Sequence, residues 1–435
     1  MPIYGIDLGT SNSLIGLHET GYLSDLVPSC VDMRTGNCGD EMYDNMDAKR
    51  SFKVDISMGT EGLPSVIAST HVLRKLNKVA GGNVKDVVIT VPAYFSDNQR
   101  QATMEAADKA GLNVVSIVNE PTAAAIYISE TRKGLYAIYD LGGGTFDVSV
   151  IDSRFGTFDV QATGGLKIGG DDFDKAIMRY FMKAAGIKLF RLNDSDKMTL
   201  QHFSGKQKIK MQRLKTTFDV DLSAWGGSLI EFSPEKYKEI MYMTFSPTVS
   251  CLKKITGSYI PEGERYEILL VGGSTRCPFL RAWIGEVTGQ KVGELTYDPD
   301  RVVALGAAKY AHMIEHGSIS SIVSDVTRQL SIGLSDGTCK VLVTENSKIP
   351  LSIEHIFVNP VAATSLELEL YQGDNTFAKD NEMIGKLVWD YTEAKEAWCG
   401  QVIVNIDIDS MGIITFSAHE LMRTPKTIRL DRKLC

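Results

Sequence analysis

Two stretches of this chain set carboxylates and hydroxyls around tight glycine turns: GIDLGTSNSLIGL at residues 5–17 and YDLGGGTFDVSVID at residues 139–152. In each, an aspartate closes an apolar run (Asp7, Asp140), a glycine turn follows (Gly9; Gly142-Gly143-Gly144), and hydroxyls come next (Thr10 and Ser11; Thr145). Asp147 adds a second carboxylate to the later copy. One Asp-x-Gly is ordinary turn chemistry. Two well-separated copies, each flanked by apolar runs, predict a pair of hairpins facing each other across a cleft.

Such a cleft suits a nucleotide. Glycines let backbone N–H groups approach phosphate oxygens, and Thr10, Ser11 and Thr145, with Asn12 beside them, add polar donors. Asp7, Asp140 and Asp147 offer oxygen ligands to Mg²⁺, reaching it through the waters that this ion keeps. The chain holds no G-x-x-x-x-G-K-[ST] stretch, so a Walker-type loop is excluded.

The elements that must carry these groups are legible around them. Ile3–Asp7 and Ser13–Leu17 read as strands, and KDVVITV (Lys85–Val91) reads as a strand buried on both faces. Ser96 and Gln99 have capping-box spacing, which predicts a helix over 97–110 with Gly111 as its stop. A strand follows at Val114–Val118, then a helix over 122–133 with Pro121 at its start and Gly134 at its end. The plan then repeats, with strands over Leu135–Asp140, Thr145–Asp152 and Phe158–Thr163 and a helix capped by Asp171 that carries Phe173, Ile177 and Phe181. YEILLV (Tyr266–Val271) runs into Gly272-Gly273-Ser274 and a helix from Pro278, and a last helix spans about 300–316. Residues 318–324 read as a linker. From Asp325 onward strands and turns alternate, which predicts an all-β domain.

Bulk composition bounds the rest. A chain of 435 residues should form two or three domains. A net charge of −8 argues against a nucleic-acid partner, although Lys206, Lys208 and Lys210 make a local basic patch. No apolar run approaches the ~18–20 residues of a membrane span, and no secretory leader is visible, so a cytoplasmic protein with no membrane partner is expected. The seven cysteines are scattered without C-x-x-C, and the seven histidines show no H-E-x-x-H, so a metal cage of His and Cys is set aside.

GIDLGTSNS, VVITVPAYFSDNQRQAT, NEPTAAAIYI, DLGGGTFDVSV, GGDDFD, LLVGGSTRCPFL and YDPDRVVALGAA stand in the order found in the DnaK-type seventy-kilodalton heat-shock chaperones. The chain resembles that family over nearly its whole length, bacterial HscC-like members included. The resemblance implies an α/β actin-like, two-lobed ATPase domain (1–317), a linker (318–324) and an all-β sandwich peptide-binding domain (325–435). It implies ATP or ADP with Mg²⁺ as ligands and slow hydrolysis coupled to the binding of unfolded, extended polypeptides.

By residue, the resemblance makes Asp7, Asp147, Thr145, Glu120 and Lys53 catalytic: Glu120 polarises the water and Lys53 is the cation. Gly169, Gly170, Gly272, Gly273 and Ser274 become phosphate and adenosine contacts, with Lys210, Arg276 and Asp300 by the base. Leu334, Leu366 and Leu368 would line the peptide channel. Pro92, Arg100 and Asp325 would couple the two domains.

Several positions depart from the family pattern. Met211 stands where an arginine usually stacks on adenine, and a thioether gives up cation–π attraction worth about 0.5–2 kcal/mol. Ser116 stands where a basic residue often meets a J-domain co-chaperone, and the linker is polar, so stimulation by J-domain and nucleotide-exchange partners should be weak. The sequence ends at Cys435, where the helical lid would begin, and a lidless β domain with fast peptide exchange is expected. Other readings of the same residues are a client-specific regulatory binder with little ATPase, an actin-fold small-molecule kinase and a filament subunit. The SLELELY strand and the sandwich around it favour the chaperone.

Overall fold

The computed structural model describes residues 2–43, 45, 47–58, 62–129, 133–294, 296–317, 323–420, 426–428 and 430–431. The expected hairpin forms twice within it. Tyr4–Asp7 pairs antiparallel with Asn12–Leu17 and parallel with Asp86–Val91, which pairs parallel with Asn113–Asn119. Leu135–Leu141 pairs antiparallel with Phe146–Asp152 and parallel with Glu267–Val271. Val87, Val88, Ile89 and Val91 have no solvent exposure, which explains why that strand reads as an unbroken apolar run.

Between the sheets lie two helices, Glu120–Ile128 and Val302–Glu315. Their contact is close because Gly306 has no side chain: a Cβ there would sit 1.8 Å from the Ala123 carbonyl oxygen. Around this crossing, Val88 and Val118 of the first sheet and Ile138, Leu269 and Val271 of the second join one apolar cluster. The two sheets thus share a base, and each keeps its own core on its far side.

Local capping departs from the sequence reading in places. Ser96 and Gln99 do form a reciprocal box at the start of Asp97–Lys109. Helix Glu120–Ile128 stops earlier than expected, with Ser129 as its C-cap, and 130–132 lie outside the described residues. Gly134 instead opens the next strand, donating its N–H to Ser153 Oγ (3.1 Å). Helix Gly170–Ala185 takes Gly169 as its cap, and the Asp172 carboxylate accepts the Gly169 N–H (3.0 Å). Asp171 therefore lies in the first turn rather than at the cap. The helix expected from Pro278 begins at Leu280, and Val302–Glu315 has His316 as its C-cap, followed by Gly317, whose φ is 68°.

The C-terminal β region has two sheets. One holds Cys339–Val343, Leu330–Gly333, Ala363–Gln372, Glu382–Lys395 and Leu430–Asp431; the other holds Leu351–Val358, Gln401–Ile408, Ile414–Glu420 and Lys426–Ile428. Leu330, Leu370 and Leu387 of the first pack with Val402, Ile406 and Phe416 of the second. Residues 318–322 of the expected linker lie outside the described residues. The rest of it is strand: Val323–Thr327 adds in parallel to Phe158–Leu166 and pairs antiparallel with Ser347–Ile349. Among the described residues no helix is long and apolar enough to cross a membrane.

Candidate functional site

The two hairpins face a cavity of about 1090 Å³ between the sheets. Asp7 ends its strand there and accepts a hydrogen bond from Thr90 Oγ1 (3.0 Å). Asp140 and Asp147 are register partners across the second hairpin, so strand pairing alone sets these two carboxylates side by side. Asp147 lies just behind the wall and accepts the Tyr94 N–H (3.3 Å). From helix Glu120–Ile128, the first residue points into the cavity and forms a buried ion pair with Lys53.

Burial is the main electrostatic fact here. It pushes the Asp7 carboxyl up to about 7, with help from the Glu120 charge and against Lys53 and the Thr90 hydrogen bond. Asp140 is raised well above the ordinary range by burial, then by Glu120, Asp147 and Asp7. Burial and Glu120 raise Asp147 likewise. At this carboxylate cluster one lysine, Lys53, faces the four carboxyl groups of Asp7, Glu120, Asp140 and Asp147, so the cluster itself is short of positive charge. An all-oxygen donor set of this kind fits a hard divalent cation such as Mg²⁺.

The turns supply the backbone surface. Gly9, Thr10, Ser11 and Asn12 line the cavity from one side and Gly142, Gly143 and Thr145 from the other. Gly170 joins them through its N–H to the Gly142 carbonyl (3.0 Å), and Ser274 Oγ donates to that same carbonyl (2.8 Å). At Gly272 φ is 83°, and a Cβ would lie 2.7 Å from Asp140 Oδ1, so this turn packs directly on a site carboxylate. Gly273, Arg276 and Asp300 line the same end, with Arg276 Nε donating to Asp300 Oδ2 (2.7 Å). Gly144 and Gly169 do not line the cavity. They back it: a Cβ on Gly144 would be 2.7 Å from the Val54 side chain, and one on Gly169 would be 2.4 Å from the Gly143 carbonyl oxygen.

Helix Asp194–Leu214 corrects two expectations. Lys210 points away from the cavity, its Nζ 4.1 Å from the Phe218 ring centroid, and Met211 is fully buried in the core of the second sheet. Lys208, Ile209 and Gln212 line the cavity instead, and Lys208 pairs with Asp174 at 2.7 Å. Two residues along a helix turn the side chain by about 200°, so Lys208 and Lys210 cannot share a face. Sequence reading also missed the contacts that span the opening. Ser51 Oγ donates to the Asp171 carboxylate, and Tyr43 packs edge-on against His202. No motif marks these residues.

The coupling candidates meet the C-terminal β region. Arg100 is buried and donates to the Asn119 Oδ1 (2.7 Å) and, across the junction, to the Met411 carbonyl (3.0 Å). Asn119 in turn donates to Asp325 Oδ2 (2.8 Å). Pro92 is buried at the end of Asp86–Val91, where its carbonyl accepts the Phe95 N–H (3.1 Å). The helix start contributes more than expected. Asp97 N–H donates to Gln372 Oε1 (2.8 Å), Asp97 Oδ1 accepts the Ile414 N–H (2.9 Å), and Ser96 Oγ donates to Glu382 Oε1 (2.5 Å). Ser116 is buried, so it offers no exposed contact.

The peptide-channel candidates do not come together. Leu366 is buried between the two C-terminal sheets and Leu368 packs against that core. Leu334 is 43% exposed and lines a separate cavity with Glu367 and Glu369, from the opposite face of the same strand.

A glycine-walled, carboxylate-floored cleft between two sheets that share a base, with β sheets bound at its side, suits a ligand that carries phosphates and a divalent cation. Residues 43–431 match the family described as Hsp70 protein, and the chain belongs to the Hsp70 family. Its relatives include proteins named Chaperone protein HscA homolog from Haemophilus influenzae strains PittGG and 86-028NP. Each is 30% identical over 474 aligned residues, covering 96% of this chain and 75% of the relative.

Proposed function

We infer that this chaperone hydrolyses ATP slowly in the cleft and uses nucleotide state to set how its C-terminal β region holds extended apolar peptides. Residues 1–317 would form an actin-like ATPase unit and 325–435 a peptide-binding sandwich, joined by 318–324. The observation that carries this reading is the convergence of both hairpins, Glu120 and Lys53 on one cavity that also meets the Gly272 turn. Phosphoryl transfer is mostly positioning and charge stabilisation, and those are the groups it needs. Asp7, Asp140 and Asp147 would hold Mg²⁺ through its waters, and the ion when bound offsets phosphate charge. The turn N–H groups with Thr10 and Thr145 would orient the phosphates. Lys53 would balance charge that develops on the transferred group, while Glu120 and Asp147 would position water and take up its proton. Arg100, Asp97 and Ser96 would carry the nucleotide state to the β region. Peptide would be held by main-chain hydrogen bonds plus apolar contacts.

The test is a single-turnover ATP hydrolysis assay on wild type, Thr145→Ala and Glu120→Ala. Loss of one positioned group in a buried site should slow hydrolysis about 10²–10³-fold while nucleotide still binds. Equal rates in all three would remove the catalytic assignment.

A further inference from the structure

The histidine spacing carries no H-E-x-x-H, yet the fold gathers histidines at one place outside the cleft. His312 and His316 lie four residues apart at the end of helix Val302–Glu315, so both imidazoles stand on one helix face, their centroids 4.1 Å apart. The turn after strand Asn12–Leu17 comes up against them. Glu19 Oε1 is 3.8 Å from His312 Nδ1, and the His18 ring centroid is 4.9 Å from that of His312.

Three observations separate this cluster from an ordinary surface contact. One ligand atom each from Glu19, His312 and His316 lies within 4.8 Å of the others. The His312 Nδ1 is buried and makes no hydrogen bond. The His316 Nδ1 lies 2.9 Å from the His312 carbonyl, which can only accept. That ring therefore carries its proton on Nδ1 and leaves Nε2 as a lone-pair donor, the outer hydrogen bond that orients metal-binding imidazoles.

We propose that Glu19, His312 and His316 form a site for a borderline divalent cation of the Zn²⁺ class, tying the turn after the second strand to the last turn of helix Val302–Glu315. Ligand bonds to Zn²⁺ of about 2.0–2.2 Å need donor separations of roughly 3.3–3.5 Å, so the present separations, all within 4.8 Å, have to shorten slightly when the ion binds. Two imidazoles and one carboxylate fill three positions, and water takes the fourth. The nitrogen donors select against Mg²⁺, which prefers oxygen, so this site is chemically distinct from the cleft. Such a site runs against the expectation that a metal cage of His and Cys is set aside. The i, i+4 pair was in the sequence, but Glu19 lies far from it along the chain and only the fold brings it there.

The test uses tag-free full-length chain in excess Mg²⁺, titrated with Zn²⁺ by calorimetry and followed by Tm. One Zn²⁺ per chain with a raised Tm is expected. His316→Ala, an exposed position whose change should leave folding intact, should weaken binding at least about tenfold and abolish the Tm shift. His312→Ala should do the same, and Glu19→Gln should weaken binding several-fold. The Co²⁺ form of wild type should show visible d–d bands without sulfur-to-metal charge transfer. No Zn²⁺ uptake, unchanged affinity in a folded His316→Ala, or a thiolate band in the Co²⁺ spectrum would each overturn the site.

Discussion

At the scale of single residues, the helix Asp194–Leu214 shows how a two-residue choice decides chemistry. Three lysines alternate at 206, 208 and 210, and a resemblance read along the sequence selects Lys210. The helix gives Lys208 to the cavity and Lys210 to Phe218. Lys208→Met should therefore weaken ADP binding about tenfold, the loss of one charge-assisted contact. Lys210→Met should leave affinity within about twofold and cost at most about 1 kcal/mol of stability through its exposed ring contact. Calorimetric titration of both variants with Mg·ADP checks this, and the reverse ranking would restore Lys210 to the site. Asp140 and Asp147 were legible for the opposite reason. Antiparallel pairing fixes which residues face each other, so a hairpin read from apolar runs and a glycine turn already places both carboxylates.

At the scale of elements, strands buried on both faces and capped helices announce themselves, while close approaches between distant elements do not. KDVVITV and the Ser96–Gln99 box are local signals, and both elements formed as read. The packing of helix Glu120–Ile128 on Val302–Glu315 depends on Gly306, which in sequence is one glycine in an alanine-rich run. Leu334 shows the same limit. Its distance from the Leu366 and Leu368 face is set by a sheet turn, not by residue type. Glycine in a helix normally gains about 1 kcal/mol when replaced by alanine. Gly257, in helix Pro234–Tyr259 with nothing within 4 Å of an added Cβ, should follow that rule, and Gly257→Ala should raise the urea midpoint. Gly306→Ala should lower the midpoint through a stability loss of about 1–3 kcal/mol, because the obstructing atom is backbone oxygen that cannot rotate aside. Equal signs for the two substitutions would mean that the crossing tolerates a methyl group.

At the scale of the whole molecule, a buried polar junction joins the strand and helix beside the cleft to the C-terminal β region. Arg100 reaches Met411, Asp97 reaches Gln372 and Ile414, and Asp325 is tied to Asn119, itself bound to Arg100. Burial raises the Asp325 carboxyl above its ordinary 3.8, against the pull of the Val326 N–H, Arg100 and Asn119. A carboxyl that holds its proton more tightly when the β region is bound makes that contact more favourable as pH falls through the raised value. The gain is complete below 3.8, and it is lost as pH rises above the raised value. The radius of gyration from small-angle scattering should therefore be larger at a pH above the raised value than at one below 3.8, and Asp325→Asn, neutral throughout, should flatten this rise. Arg100→Ala should extend the molecule at both pH values, since truncating one member of a buried charged network costs about 3–5 kcal/mol. If Arg100→Ala stayed as compact as wild type, the junction would be held by the helix start alone, through Ser96 and Asp97. The nucleotide cleft would then be linked to the β region through the Ser96 and Asp97 hydrogen bonds rather than through the Arg100 charge.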